Sequence, residues 1–165
     1  MQVDVFDVGH GQCILVFAPN GRKMLVDCGR LLDRGKLWTP TLHLMGQQVD
    51  ILALTNLDQD HLDDFGSLLK YSIPKLILTN PTIGHQQFVN MKGTLKGGIE
   101  AYASWLAAHS AVGRGYVEEP NFGNVAIRYY YNRYHPLGIS ETNDLSLLLV
   151  IQFGQFKMMI SGDLE

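Results

Sequence analysis

A chain of 165 residues that is 46% hydrophobic has enough apolar side chains for one domain with a buried core. Charged residues make up 18% and the net charge is −3, which excludes binding to nucleic acid by bulk electrostatics alone. No apolar run reaches the roughly 18–20 residues that a membrane span needs, and the N-terminus enters a strand-like pattern without a signal-peptide layout, so the expectation is a cytoplasmic protein with no membrane partner.

Residues 2–8, QVDVFDV, alternate and read as a strand that Gly9-His10-Gly11 breaks. The stretch ILVFAPNGRKMLVDC reads as two strands around Asn20-Gly21, the signal for a two-residue type I′ hairpin. That register pairs positions whose numbers sum to 41 and sets Cys13 opposite Cys28. The spacing of the two cysteines matches no zinc finger, and a cytosolic setting predicts two neighbouring free thiols rather than a disulfide.

Residues 30–48 read as one long loop carrying Arg30, Arg34, Lys36 and Trp38; loops of that length in compact domains are more often functional than decorative. VDILAL at 49–54 reads as a buried strand, followed by an acidic turn and a short helix around 62–71. KLILT at 75–79 is another buried strand, joined to the previous one by a parallel crossover. Residues 99–111 place Ile99, Tyr102, Leu106 and His109 at helical spacing. Residues 124–135 return to strand, and 145–153 with 156–161 form a second hairpin around Gly154-Gln155.

The nearly continuous apolar character of residues 145–160 predicts strands covered on both faces. One or two helices cannot cover that much sheet. The expectation is therefore a single domain over 1–165 that stops short on its C-terminal side, with the rest of the fold, a partner chain or a second copy supplying the cover. Strands first, crossover next and hairpin last describe a mixed β-sheet with external helices, an α/β or α+β layer fold.

Chemistry concentrates at strand ends. Asp27, the stretch from Asn56 to His61, His135 and Asp163 each follow an apolar strand. Strand ends gathered on one edge of a sheet make a natural site. In TNLDQDHLDDFG, residues 55–66, aspartates crowd around His61 directly after a core strand, where charge is costly unless something pairs it. Asp58, Asp60 and His61 offer oxygen and imidazole donors, and an oxygen-rich site with one or two histidines suits a divalent ion such as Mn²⁺ or Zn²⁺. The bland alternative for these acids is a helix first turn that favours the helix dipole, which is the better reading of Asp63 and Asp64. His10 reads as a loop residue, His43, His85 and His109 as surface or packing residues, and the tyrosines at 129–131 as strand packing.

Five motifs in sequence resemble the metallo-β-lactamase superfamily, and most of all the hydrolase domain of ComEC-type competence proteins and its stand-alone relatives. They are DVGHGQCILVFAPNGRKMLVDCG, TNLDQDHLDD, YHP, NDLSLLL and ISGDLE, in that order, and with the strand before the first of them the match runs from residue 3 to the end. The resemblance implies an αββα sandwich, of which this chain would be the N-terminal part, and a metal-dependent hydrolase acting on phosphodiester bonds, nucleic acid among them. It gives Asp60 and His61 to the second ion of a pair, Asp58 and His135, beside Asn56, to the first, and Asp163 to both. It gives Asp58 and Asp60 the catalytic roles, Asp27 the task of orienting a ligand, and Arg30, Arg34 and Lys36 a place beside substrate phosphate. The family's first histidine is Asn56 here, an oxygen donor that moves the site toward Mn²⁺ or Mg²⁺ and away from zinc. Asn56 and Asp58 in place of paired histidines also argue against β-lactam hydrolysis. The alternative of another class is a catalytically degenerate member of the fold that works as a binding or scaffolding module.

Overall fold

The computed structural model describes residues 1–33, 35–109, 120–135 and 141–164. Arg34, residues 110–111 of the expected helix and Pro136 of the YHP motif lie outside them.

The first sheet has five strands in the order β1-β2-β3-β6-β7. β1 (Gln2–Val5), β2 (Ile14–Phe17) and β3 (Lys23–Val26) are antiparallel neighbours; β6 (Ile51–Ala53) and β7 (Leu76–Leu78) add on in parallel. Between them in the chain come β4 (Leu31–Asp33), β5 (Lys36–Trp38) and helix α1 (Pro40–Leu44). The crossover from β6 to β7 carries α2 (Gln59–Leu62) and α3 (Phe65–Tyr71); α4 (His85–Lys92) and α5 (Gly97–His109) follow. β8 (Val125–Tyr131), β9 (Leu147–Phe153) and β10 (Phe156–Ile160) form a second, antiparallel sheet in the order β10-β9-β8.

Period-two alternation sorts the first sheet into two interfaces. Leu15, Leu25 and Leu52 point to the helices and join Phe65, Leu68, Phe88, Tyr102 and Leu106 in one core cluster. Their neighbours Val16, Met24, Val26, Ile51 and Ala53 point the other way and pack on Val125, Leu149 and Ile151 of the second sheet. The molecule is thus three layers, helices on sheet on sheet, and the central strands are apolar on both sides because both sides are covered.

Two expectations need correction. The first hairpin pairs Ile14 with Val26 and Phe17 with Lys23, positions that sum to 40 rather than 41. Ala18 and Arg22 close a three-residue loop, with Gly21 at φ +82 as its left-handed residue. Cys13 and Cys28 are therefore not direct cross-strand partners, although both are buried, free and in the same helix-side cluster. Residues 30–48 are not one loop: they hold a small hairpin, Leu31 pairing with Trp38, and α1, whose Thr41 N–H donates to Asp64 at 2.7 Å. Among the described residues, β9 is covered on one face only. Leu147, Leu149 and Ile151 are buried, whereas the outer row leaves Tyr130 54% and Met159 69% exposed, because the described residues supply no layer on that side.

Candidate functional site

β3 and β6 are parallel, so their C-terminal ends lie side by side at one edge of the first sheet. The end of β10 arrives there from the second sheet: a Cβ on Gly162 (φ +56) would stand 2.9 Å from Thr55 Oγ1. Glycine at that position lets the chain turn tightly against β6's exit and deliver Asp163 to it.

Asp27 is fully buried and left-handed at φ +57, a turn that aspartate tolerates better than most residues. The turn aims its carboxylate across the strand ends. Thr55 N–H donates to Asp27 Oδ1 at 2.6 Å, and the Thr55 hydroxyl donates to Oδ2. The same Oδ2 meets His61 Nδ1 at 2.9 Å. On its other side, His61 Nε2 stands 3.2 Å from Asp163 Oδ2, and Asn56 Nδ2 is 3.1 Å from that same oxygen. Asn56 Nδ2 also donates to Asn143 Oδ1 at 3.0 Å. Asn56, His61 and Asp163 therefore converge on one point, with Asp27 behind the imidazole. His61 is buried while the Asp163 side chain is 44% exposed, so the cluster opens to solvent at Asp163.

Burial works against charge on His61, but the hydrogen bond and charge of Asp27, then the charges of Asp163 and Asp60, outweigh it and push its pKa up to about 9. The imidazole is thus held in place by acids on both sides and polarised toward the open end.

Backbone packing fixes the turn that carries His61. Cys28 N–H donates to His61 O at 2.9 Å and Asp64 N–H donates to Cys28 O at 2.9 Å, tying α2 to the extension of β3. Gly11 and Gly29 lie against the Asp60 carbonyl, where an added Cβ would come within 2.3 and 2.6 Å. Asp60 is partly buried, and its charge acts on His61.

The other expected site residues sit elsewhere. Asp58 precedes α2, and its carboxylate is taken by Lys92 Nζ and by the Thr142 hydroxyl, 3.0 and 3.1 Å from its two oxygens. His135 is exposed, past the end of β8, on a stretch tied down by Asn80 to Asn132 O and by Tyr134 N–H to Thr82. Arg30 pairs with Asp63 at 3.6 Å, and Lys36 lies exposed on β5 opposite Asp33; neither contacts the cluster. Arg34 lies outside the described residues. His43 packs on Phe6 and His109 stacks on Trp105.

Sequence reasoning missed Lys92, Thr142 and Asn143. Asn143 falls in the NDLSLLL motif, whose asparagine was the available signal; Lys92, the last residue of an unremarkable helix, had none.

One end of this arrangement presents two facing donors to which an ion could bind. Two donors each about 2.1 Å from one ion, at near-tetrahedral angles, stand roughly 3.2–3.4 Å apart, and His61 Nε2 and Asp163 Oδ2 are 3.2 Å apart. Asn56 meets the same Asp163 oxygen through its amide nitrogen, a hydrogen-bond donor, while its Oδ1 accepts from Leu57 N–H. The other end does not fit, because Asp58 already holds a cation. Among the described residues no group of three or more His, Cys, Asp and Glu side chains gathers closely enough to hold an ion.

No helix among the described residues is long and apolar enough to cross a membrane. No protein-family model matches the chain. The chain is similar to ComE operon protein 3 of Bacillus subtilis (strain 168), 26% identical over 187 residues that include 99% of this chain and 22% of the relative. It spans less than a quarter of that protein's length.

Proposed function

We propose that the chain is a metal-dependent hydrolase of the metallo-β-lactamase type, acting on a phosphodiester bond. The observation that carries this reading is the convergence of Asn56, His61 and Asp163 on one solvent-open point with Asp27 bonded behind His61. A bound divalent ion would supply Lewis acidity and a water acidified enough to react near neutral pH. His61 and Asp163 would hold it, and Asn56 Oδ1, which here accepts from Leu57 N–H, would join them on turning to the ion, with Mn²⁺ then favoured over Zn²⁺ because oxygen donors would predominate.

The chain's own residues divide the remaining work. Asp27 fixes the imidazole's orientation, so that Nε2 faces the open end. Asp60, on the same turn, adds negative charge beside it. Asp163, at the mouth, faces the incoming substrate. The open outer row with Tyr130 and Met159 is the surface on which a further layer of the fold or another chain would pack.

One observation favours the second reading, a non-catalytic binding module: the Asp58 carboxylate is occupied by Lys92. The test is a panel of generic phosphodiesters and single-stranded DNA, assayed with Mn²⁺, Mg²⁺ and Zn²⁺. The expected result is turnover highest with Mn²⁺, abolished by Asp60→Ala together with a fall in bound metal, and moved toward Zn²⁺ by Asn56→His. Absence of turnover with every ion, with Asp60→Ala leaving metal content unchanged, would establish the binding module instead.

A further inference from the structure

Lys92 ends α4, followed by Gly93 in a left-handed turn at φ +64. Its side chain is only 9% exposed, an unusual depth for an ammonium group. It points into the site rather than out to water. Nζ bonds Asp58 Oδ1 and lies 3.2 Å from Thr142 Oγ1, and that hydroxyl in turn reaches both oxygens of Asp58. Both carboxylate oxygens are therefore engaged by groups of this chain. A buried ammonium keeps its partner firmly, because losing it would leave an uncompensated charge.

Two residues before Asp58 stands Asn56, an amide whose nitrogen is spent on Asn143 and Asp163. A second divalent ion at Asp58 would meet a fixed positive charge where it needs an open carboxylate, and an amide where the resemblance puts an imidazole.

We infer that Lys92 takes the cation position at Asp58, so that the chain holds one divalent ion, at the His61–Asp163 end, and not two. This rests on the metal-dependent reading of the site. Lys92 is a built-in counter-charge: it neutralises Asp58 without an ion and closes that position to metal.

The count of bound ions tests it. The full chain is dialysed to equilibrium against Mn²⁺ from micromolar to millimolar concentration, and Mn²⁺ per chain is measured by elemental analysis. The expected result is one ion for the wild type, none for Asp163→Asn at the same concentrations, and a second, weaker ion for Lys92→Met, which releases Asp58. Lys92→Gln replaces Lys92→Met if the latter loses its native circular dichroism spectrum, and the wild-type count stands without any variant. Two ions on the wild type would overturn the inference while leaving the metal-dependent reading intact. One ion on both wild type and Lys92 variant would overturn the inference too, since something other than Lys92 would then close the position. No ion on either protein would overturn the metal-dependent reading itself.

Discussion

Gly11 lies so close to the Asp60 carbonyl oxygen that a Cβ at position 11 would stand 2.3 Å from it. The contact is with backbone, which cannot swing aside as a side-chain tip can. Gly11 does not have a positive φ, so the close approach alone demands glycine. Gly11→Ala is expected to push the Asp60–His61 turn outward and to cost the upper end of the about 1–3 kcal/mol typical of overpacking. Gly154→Ala, at a left-handed turn with nothing within 4 Å, should cost about 1 kcal/mol from backbone strain alone. Urea denaturation of both variants checks the ranking, and a larger loss from Gly154→Ala would refute the packing explanation.

Asp27→Asn removes the charge behind His61 while keeping its size. Both side chains are buried, so the loss is expected to cost about 3 kcal/mol, within the range for breaking a buried pair from one side. The imidazole also loses the partner that fixes its orientation, and affinity for Mn²⁺ should fall roughly 10–100-fold. Titration calorimetry on the folded variant reads the second effect. Unchanged affinity would mean that Asp27 serves the fold alone.

At the opposite end of the first sheet, Asp50 accepts from Arg22 and Lys75, each at 2.7 Å, and from Lys23 N–H at 2.9 Å. Burial works against its charge, but these contacts outweigh it and hold the carboxyl below its ordinary 3.8. A lowered folded-state value stabilises the protein fully above the unfolded value, and that contribution is lost as pH falls through the folded one. Asp50→Asn should therefore cost stability at pH 7 and progressively less below pH 3.8. Because Arg22 and Lys75 remain 41% and 38% exposed, water screens the pair, and the neutral-pH cost is expected at about 1–2 kcal/mol. Denaturation midpoints of both proteins across this pH range measure it; a constant gap would contradict the sign.

Cys13 and Cys28 are 1% and 0% exposed, and burial, reinforced by the charge of Asp27, pushes both thiols upward. Neither should react with a thiol reagent in the native protein, and both should react once it is unfolded without reductant. Fewer than two thiols in the unfolded protein would show that the pair had oxidised.

Much of this fold is legible in sequence because the signals are local. Short apolar runs at residues 14–17, 23–26 and 51–53 identify strands, their double-sided apolar character identifies a covered sheet, and the spacing at residues 99–109 identifies a helix. That polar residues stand at the exits of β3, β6 and β10 is equally local, so Asp27, Asn56, His61 and Asp163 can be picked out one by one. Only the tertiary structure decides which of them meet. His61 and Asp163 are separated by 102 positions and Asn56 and Asn143 by 87, and no local pattern encodes such pairings. Asn20-Gly21 fits a two-residue or a three-residue hairpin loop, and the register is set by which faces the neighbouring layers bury. Lys92 is the clearest case: a lysine at a helix end normally reads as solvated charge, and it becomes part of the site only because the packing of α4 carries its ammonium to Asp58, 34 positions earlier in the chain.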